Sequence, residues 1–455
     1  MSSIVRSILV HWPEVIVCGT GFQPVFRPLQ REAIEADLRG RDSLCVMPTG
    51  HGKSLCYQLP AVCGTGFEPA VASLTVVVSP LISLMEDQVA SLKNRGINAF
   101  ALHSGKTCID QDSEVSNLKS LLAAGVSALL YVSPERCLQP SCITLLRALH
   151  SSLRSFVVDE AHCISSWGHD FRPAYARLGD LRKLFPHVSI HAFTATATPR
   201  VREDIVVTLR LGTEGRSDEG TQGPVILVGS FDRPNLHLSV TPRWINSLGQ
   251  LKAVIKRLRE RDEQAAGIIY TNTRRATENV AKQLAGLGIP CDYYHAGCGD
   301  DHRRRVEQAF LGCGTDLQSV SPSSLVVATT AFGMGIDRPD VRFVIHARMP
   351  SSIEQYHQEI GRAGRDGQPA TCVLLYSPDD ANDWGEIHAT DDPPVEVWTS
   401  RMAALAAMEE YCSLPLRASG LRACRRRRLI EHFGERSAEG PCNNCDVCLG
   451  IGGER

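Results

Sequence analysis

The chain has 455 residues, too many for one ordinary hydrophobic core, so two or three domains are expected. Its composition is that of a soluble globular protein, 43% hydrophobic and 22% charged, and a formal net charge of −2 excludes a generally basic, histone-like binder. Any nucleic acid has to be held by local patches.

The first stretch, "MSSIVRSILVHWPEVIVCGTG", is apolar, but Arg6, His11, Pro13 and Glu14 interrupt a signal-peptide core. The longest uncharged run, 69–85, holds Pro80 and several hydroxyls and reads as a buried strand and loop, not a membrane span. With no targeting signal, a cytoplasmic chain is expected, lying with the nucleoid in a bacterium or in the nucleus of a eukaryote. The 17 cysteines are scattered except near the end, the usage of small core residues in a reducing compartment.

At 47–54 "MPTGHGKS" supplies the Gly50-His51-Gly52-Lys53-Ser54 end of a phosphate-binding loop, with Met47 where a first glycine often stands. Backbone N–H groups and a helix N-terminus cradle phosphates there, the Lys53 charge meets their oxygens, and Ser54 suits Mg²⁺. Alone, the stretch could be a tight turn before a helix. Apolar runs of strand length follow, "SLTVVVSP", "SALLYVSP" and "SFVVDEAH", with amphipathic segments between them, the pattern of a parallel α/β sheet. The third ends on Asp159 and Glu160, suited to holding Mg²⁺ and polarising an attacking water. Together with Lys53 they point to ATP hydrolysis.

The Gly-rich segment 212–224 reads as a linker or surface loop. Four more strand-like runs follow, "AAGIIYTNT", "SLVVATTAFG", "VRFVIHAR" and "ATCVLLYS". Two doubly wound lobes are expected, 1–212 and 225–390, then a helical module at 391–455. In "QEIGRAGRDG" Arg362 and Arg365 stand three apart, on one face if helical. They could be surface charges or, paired with the first-lobe site, neutralise charge on a γ-phosphate. Near the end Cys424 and the C-x₂-C-x₂-C set Cys442, Cys445 and Cys448 suit a closed tetrahedral Zn²⁺ site. The run Arg425–Arg428 beside them is either a solvated helix face or a DNA patch. Copies of "CGTGF" begin at Cys18 and Cys63, with a degraded copy at Cys313, and read as loop insertions.

From Phe26 to Cys448 the chain resembles a RecQ-type superfamily 2 DNA helicase. "FRPLQREAI", "MPTGHGKSLCYQLPA", "DEAHCISSWGHDFRP", "FTATAT", "FDRPNL", "YYHAG", "ATTAFGMGIDRPDVRFVIH" and "QEIGRAGRDG" stand in that family's order. The resemblance implies two RecA-like lobes and a zinc module, with ATP, Mg²⁺ and Zn²⁺. It implies adenine contacts from Arg27 and Gln30, with Phe22 as the stacking aromatic, and nucleotide contacts from Thr49, Gly50, Gly52, Lys53, Ser54 and Asp337. Arg362 and Arg365 become arginine fingers. "AHCISSWGHDFRP" resembles the aromatic-rich loop that couples DNA to hydrolysis, with Trp167 and Phe171 at bases or bracing the loop. His169 and Arg172 would hold the phosphate side and His162 would link the loop to the ATP site. Thr194, Thr196 and Thr198 would relay between lobes, and Arg274 and His295 would contact the strand.

The activity implied is 3′→5′ unwinding of single-stranded-tailed or forked DNA by a monomer in recombination and repair, with single-strand-binding or repair proteins as partners. The chain ends seven residues after Cys448, so the family's short form, without winged-helix or HRDC domains, is expected. A single-strand-stimulated translocase or annealing factor with little unwinding is the alternative. An RNA helicase fits less well, since this chain has "DEAH" and "QEIGRAGR" where those show "DEAD" and "HRIGRxxR".

Overall fold

The computed structural model describes residues 11–12, 16–18, 22–24, 26–63, 72–168, 170–212, 223–260, 262–312, 324–333, 338–390, 392–414, 424–437 and 440–451. They form two compact units, dividing between Ser230 and Phe231.

In the first unit, β1 (Ile16–Cys18) and β2 (Phe22–Pro24) make a small antiparallel pair. The other seven strands are β3 (Ser43–Val46), β4 (Leu74–Val78), β5 (Ala99–Leu102), β6 (Ala128–Val132), β7 (Leu153–Val158), β8 (Ser189–Thr194) and β9 (Val225–Val228). They build one parallel sheet in the order β5-β6-β4-β7-β8-β3-β9. Strands β3 to β6 and β8 are buried along their whole length, as parallel strands are when helices cover both faces. The edge strand β9 alternates half-buried and exposed side chains instead. It pairs with β3, so residues 225–228, expected to open the second lobe, belong to the first sheet. A four-residue strand beside a Gly-rich loop carries too weak a pattern to assign to either lobe.

The second unit holds a six-stranded parallel sheet. Its strands are β10 (Leu236–Pro242), β11 (Ala266–Tyr270), β12 (Asp292–Tyr294), β13 (Leu325–Ala328), β14 (Val341–His346) and β15 (Ala370–Tyr376), in the order β10-β15-β14-β11-β13-β12. Leu251, Ile255, Ile269, Leu284, Val327, Phe343 and Ile345 form its core.

Most of the described scattered cysteines are core residues as expected, while Cys108 is exposed and Cys63, Cys291 and Cys298 are partly exposed. Cys45, Cys56, Cys137, Cys142, Cys163, Cys372 and Cys412 are buried, and burial pushes the Cys45 and Cys372 thiols up to about 12, leaving them inert. No described helix is long and apolar enough to cross a membrane. The second "CGTGF" copy past Cys63, and the whole of the third, lie outside the described residues.

Burial in the second unit has a pH consequence. His357 packs against the stacked pair Phe231 and Phe433, and burial lowers its pKa to about 4. Its backbone partner Phe231 O favours the proton, but Arg233 and His432 oppose it. The folded pKa lies below the unfolded value, so acid loads protons on the unfolded chain first. Stability from the neutral ring is whole above pH ~6.5 and is lost as pH falls towards 4, by about 3 kcal/mol at 1.36 kcal/mol per pKa unit. Denaturant melts at pH 7.5 and 4.5 should show His357→Asn losing less on acidification than the parent. An equal loss in both chains would remove His357 from the cause.

Candidate nucleotide site and zinc centre

Strands β7, β8 and β3 are neighbours, and their C-terminal ends carry the first site. In open α/β sheets this is the edge where ligands bind. β3 runs into the loop 47–52, where Gly50 and Gly52 hold φ of 80° and 72°, a left-handed backbone that other residues resist. The helix Lys53–Cys63 then starts at once, which places Lys53 and Ser54 in its first turn with Thr49 in the preceding loop. Lys53 Nζ donates to Met47 O across the loop at 3.3 Å.

Arg27 and Gln30 sit against the same loop. Gln30 Nε2 donates to His51 O and Gly52 O at 3.1 and 3.2 Å, its Oε1 accepts from Arg27 N at 2.8 Å, and the Arg27 guanidinium donates to Gly50 O. A Cβ at Gly52 would stand 2.6 Å from Gln30 Nε2. Both residues thus hold the phosphate loop in place. Phe22 lies in β2, and its side chain is outside the described residues.

β7 delivers the two carboxylates. Asp159 N continues the ladder to Val78 O at 2.9 Å, and Tyr175 Oη donates to Asp159 O at 3.0 Å. Glu160 turns away with φ 49°, a left-handed backbone uncommon outside glycine, and such strain collects at functional sites. Burial, then the Glu160 charge, push Asp159 up to about 7, while Lys53 pulls it down. A buried carboxylate beside a second anion is stabilised by a cation, so Asp159 with Ser54 suits Mg²⁺.

From Glu160 a chain of contacts leads to the end of β8. His162 Nδ1 lies 3.3 Å from Glu160 Oε2 and 2.9 Å from Thr194 Oγ1, and Thr194 Oγ1 donates to Thr196 O at 3.1 Å. Burial works against an imidazolium at His162, but Cys163 and the Glu160 carboxylate together raise its pKa well above the ordinary value. Thr198 caps the helix Pro199–Leu209, accepting from Val201 N. The described residues of the loop after β7 fold back on one another, with Arg172 N donating to Cys163 O at 3.0 Å. Arg172 reaches Asp170 Oδ2 at 3.1 Å and Pro80 O at 2.9 Å, and Arg200 covers the Trp167 ring at 3.6 Å from its centroid. Phe171 is half-buried, and His169 lies outside the described residues.

In the second unit the helix Arg274–Gly286 begins behind a Thr273 cap, and Arg274 and His295 both border Gly297. His295 is buried, with Nε2 at 2.9 Å from Glu278 Oε1 and Nδ1 accepting from Gly297 N at 3.2 Å. The helix Ile353–Ile360 ends before the two arginines, which lie in the turns that follow and not on one helical face. Gly361 and Gly364 favour that ending. Arg362 is buried and donates to Gly333 O, whose φ of 154° leaves room for the guanidinium only because glycine has no Cβ. Arg365 is half-exposed. Asp337 lies outside the described residues.

The cysteine centre is also in this unit. The Sγ atoms of Cys424, Cys442, Cys445 and Cys448 all lie within 4.8 Å of one another. Thiolates about 2.3 Å from a tetrahedral Zn²⁺ stand about 3.8 Å apart, and Cys442 and Cys448 are 3.8 Å apart. Backbone N–H groups of Arg427, Asn444 and Cys448 each approach a sulfur at 3.5 Å, which favours thiolates. The donor set fits zinc.

Arg425 and Arg426, expected on a solvated face or a DNA patch, are buried instead. Arg425 Nε meets Asp446 Oδ1 at 2.5 Å, and Arg426 reaches Asp232 Oδ1 at 2.6 Å and Leu236 O at 2.5 Å. They fasten the centre to β10, an effect invisible in a run of like charges.

Three family descriptions match in order: DEAD/DEAH box helicase at 27–205, helicase conserved C-terminal domain at 249–367, and RecQ zinc-binding at 379–449. The chain is 40% identical over 441 residues to the ATP-dependent DNA helicase RecQ of Pasteurella multocida, covering 96% of this chain and 62% of that one. It belongs to the RecQ-type superfamily 2 helicases. The RecQ-like DNA helicase blm-1 of Caenorhabditis elegans is 38% identical over 93% of this chain and 40% of its own. The chain therefore spans about 62% of its bacterial relative. Among solved structures, the DEAD-box helicase Mss116 bound to single-stranded RNA aligns at TM-score 0.62 with 17% identity, covering 99% of this chain and 89% of that one. The DUF1998 helicase MrfA bound to DNA and AMPPNP aligns at TM-score 0.62 with 16% identity, over 96% and 59%. At that identity they show the fold.

For this RecQ-type chain the structure brings together Arg27, Gln30, Thr49 to Ser54, Asp159, Glu160 and His162 in the first unit. It adds residues the motifs did not single out. Arg200 on Trp167 and the Ser165–Asp204 hydrogen bond hold the aromatic loop. Nothing in their spacing announces them, because each acts across a fold contact.

Proposed function

We propose that this chain is an ATP-driven DNA motor moving 3′→5′ on a single strand and opening tailed or forked duplex. The contact series Asp159, Glu160, His162, Thr194 and Thr196, with the Lys53 charge acting on Asp159, carries the reading at three adjacent strand ends. It joins a phosphate loop and a carboxylate pair to the segment that leaves β8, so a change at the nucleotide has a physical route out of the site.

In this reading Lys53 and the loop N–H groups hold the β- and γ-phosphates. Mg²⁺, held by Ser54 and Asp159, supplies charge neutralisation on the phosphate oxygens when bound. Glu160 orients the attacking water and takes its proton, while His162 keeps the carboxylate aimed. Arg365 provides the finger charge, and Arg362 keeps the turn around Gly333 in place. Trp167, Phe171, Arg172, His169, Arg274 and His295 meet the strand. Phosphate contacts of this kind bind without reading sequence. DNA is favoured over RNA because the relatives that align over nearly the whole chain are named as DNA helicases. A monomer acting in recombination and repair, with single-strand-binding proteins nearby, completes the proposal.

ATP turnover is measured with and without mixed-sequence single-stranded DNA, across salt, for the parent and Lys53→Ala. Stimulation that fades with salt, absent from Lys53→Ala, is expected. Turnover indifferent to DNA, or surviving in Lys53→Ala, would defeat the proposal.

A further inference from the structure

The loop after β7 carries a donor set of which the motor reading uses only His162. Cys163 Sγ and Asp170 Oδ2 lie 3.7 Å apart, and with a ring nitrogen of His162 they form a set whose donor atoms are all within 4.8 Å. A tetrahedral Zn²⁺, with bonds of about 2.3 Å to sulfur and 2.0 Å to oxygen or nitrogen, separates such donors by about 3.5 Å. The sulfur–oxygen pair already has that spacing.

The surroundings are those of a ligand set. His162 Nδ1 is engaged by Thr194 Oγ1 and Glu160 Oε2, the outer-shell contact that orients a metal-ligating imidazole and leaves the opposite nitrogen to the metal. Cys163 and His162 are buried while the Asp170 side chain is 40% exposed, which closes the set on the protein side and opens it to entry from solvent. A Cβ at Gly168 would stand 2.4 Å from His162 O, so the backbone at Gly168 packs directly on the His162 carbonyl. One nitrogen, one thiol and one carboxylate select a borderline-soft cation over Mg²⁺.

We infer that His162, Cys163 and Asp170 form a second metal site, distinct from the four-cysteine centre, for a Zn²⁺-like divalent cation with water in the fourth position. Binding sends the Cys163 thiol proton, and any proton on that imidazole nitrogen, to solvent. It also takes Asp170 from Arg172, whose Nε and Nη2 approach it at 3.3 and 3.1 Å. An occupied site ties the aromatic loop to the ring that aims Glu160, fixing one loop arrangement. Occupancy therefore slows DNA-stimulated hydrolysis. That consequence rests on the proposed ATPase; the binding does not.

The full chain, carrying its structural zinc, is titrated with buffered Zn²⁺ and with Cd²⁺, and bound metal is counted. The parent should bind one equivalent beyond the four-cysteine centre, with Cd²⁺ adding the charge-transfer absorption of one further thiolate. DNA-stimulated turnover should fall about fivefold or more, the low end of ordinary couplings, and recover with a mild chelator. Cys163→Ala should bind one equivalent fewer and turn over ATP as the metal-free parent does, without inhibition. Should that variant fail to fold, Asp170→Asn carries the same comparison on the metal count. No extra equivalent in the parent, or an equal extra equivalent in parent and variants, overturns the site. An extra equivalent without inhibition overturns the braking role alone. A metal-free parent that never turns over ATP sinks the ATPase reading and leaves the metal count standing.

Discussion

Glu160→Gln should lower ATP turnover by roughly 10²- to 10⁴-fold, the range for a positioned general base. That is about 3–5 kcal/mol of barrier at 1.36 kcal/mol per decade. The amide keeps the size of the side chain but cannot take a proton from water. Folding should be nearly unchanged, because the left-handed turn at φ 49° is set by the chain around it and Glu160 N still bonds Asp159 Oδ1 at 3.0 Å. Nucleotide affinity should survive, since Lys53, Ser54 and the loop N–H groups are untouched. Single-turnover hydrolysis together with nucleotide binding separates these effects. Turnover within tenfold of the parent would remove Glu160 from the role of base.

Cys445→Ala should cost the second unit its metal and part of its fold. Cys445 is fully buried, and its neighbours are the ones that close the edge of the sheet. Leu238 bridges to Cys445, Val240 N donates to Asp446 Oδ2 at 2.9 Å, and Phe433 stacks on Phe231 at 4.4 Å. Structural zinc contributes about 10–16 kcal/mol in small modules, comparable to the whole stability of a domain at about 5–15 kcal/mol. Loss of one thiolate therefore melts the module and uncovers β10, an open edge prone to association. Zinc content with thermal melts reads this, and Cys412→Ala, buried but outside the donor set, should keep its zinc. A Cys445→Ala chain with full zinc and a parental melt would contradict the assignment.

Much of this was legible in the residues. Unbroken apolar runs such as "LTVVV" and "ALLYV" mark buried parallel strands, and the four-cysteine spacing marks the zinc centre, because each is a local pattern imposed by local geometry. The strand-ending carboxylates were legible for the same reason. What spacing could not show are contacts between distant segments. Gln30 and Arg27 turn out to brace the phosphate loop, Arg426 fastens the zinc module to β10, and Arg200 covers Trp167. The Arg362 and Arg365 pair misled in a different way. Three-residue spacing suggests one helical face, but two glycines end the helix at Ile360.

The central claim is that this fold turns ATP hydrolysis into directed separation of DNA strands. It is tested most directly by strand displacement on a duplex with a 3′ single-stranded tail, beside a 5′-tailed control, with ATP and with Glu160→Gln as the inactive partner. The account predicts displacement of the 3′-tailed duplex alone, abolished in Glu160→Gln. Displacement of the 5′-tailed duplex instead, or none from either despite DNA-stimulated hydrolysis, would contradict it.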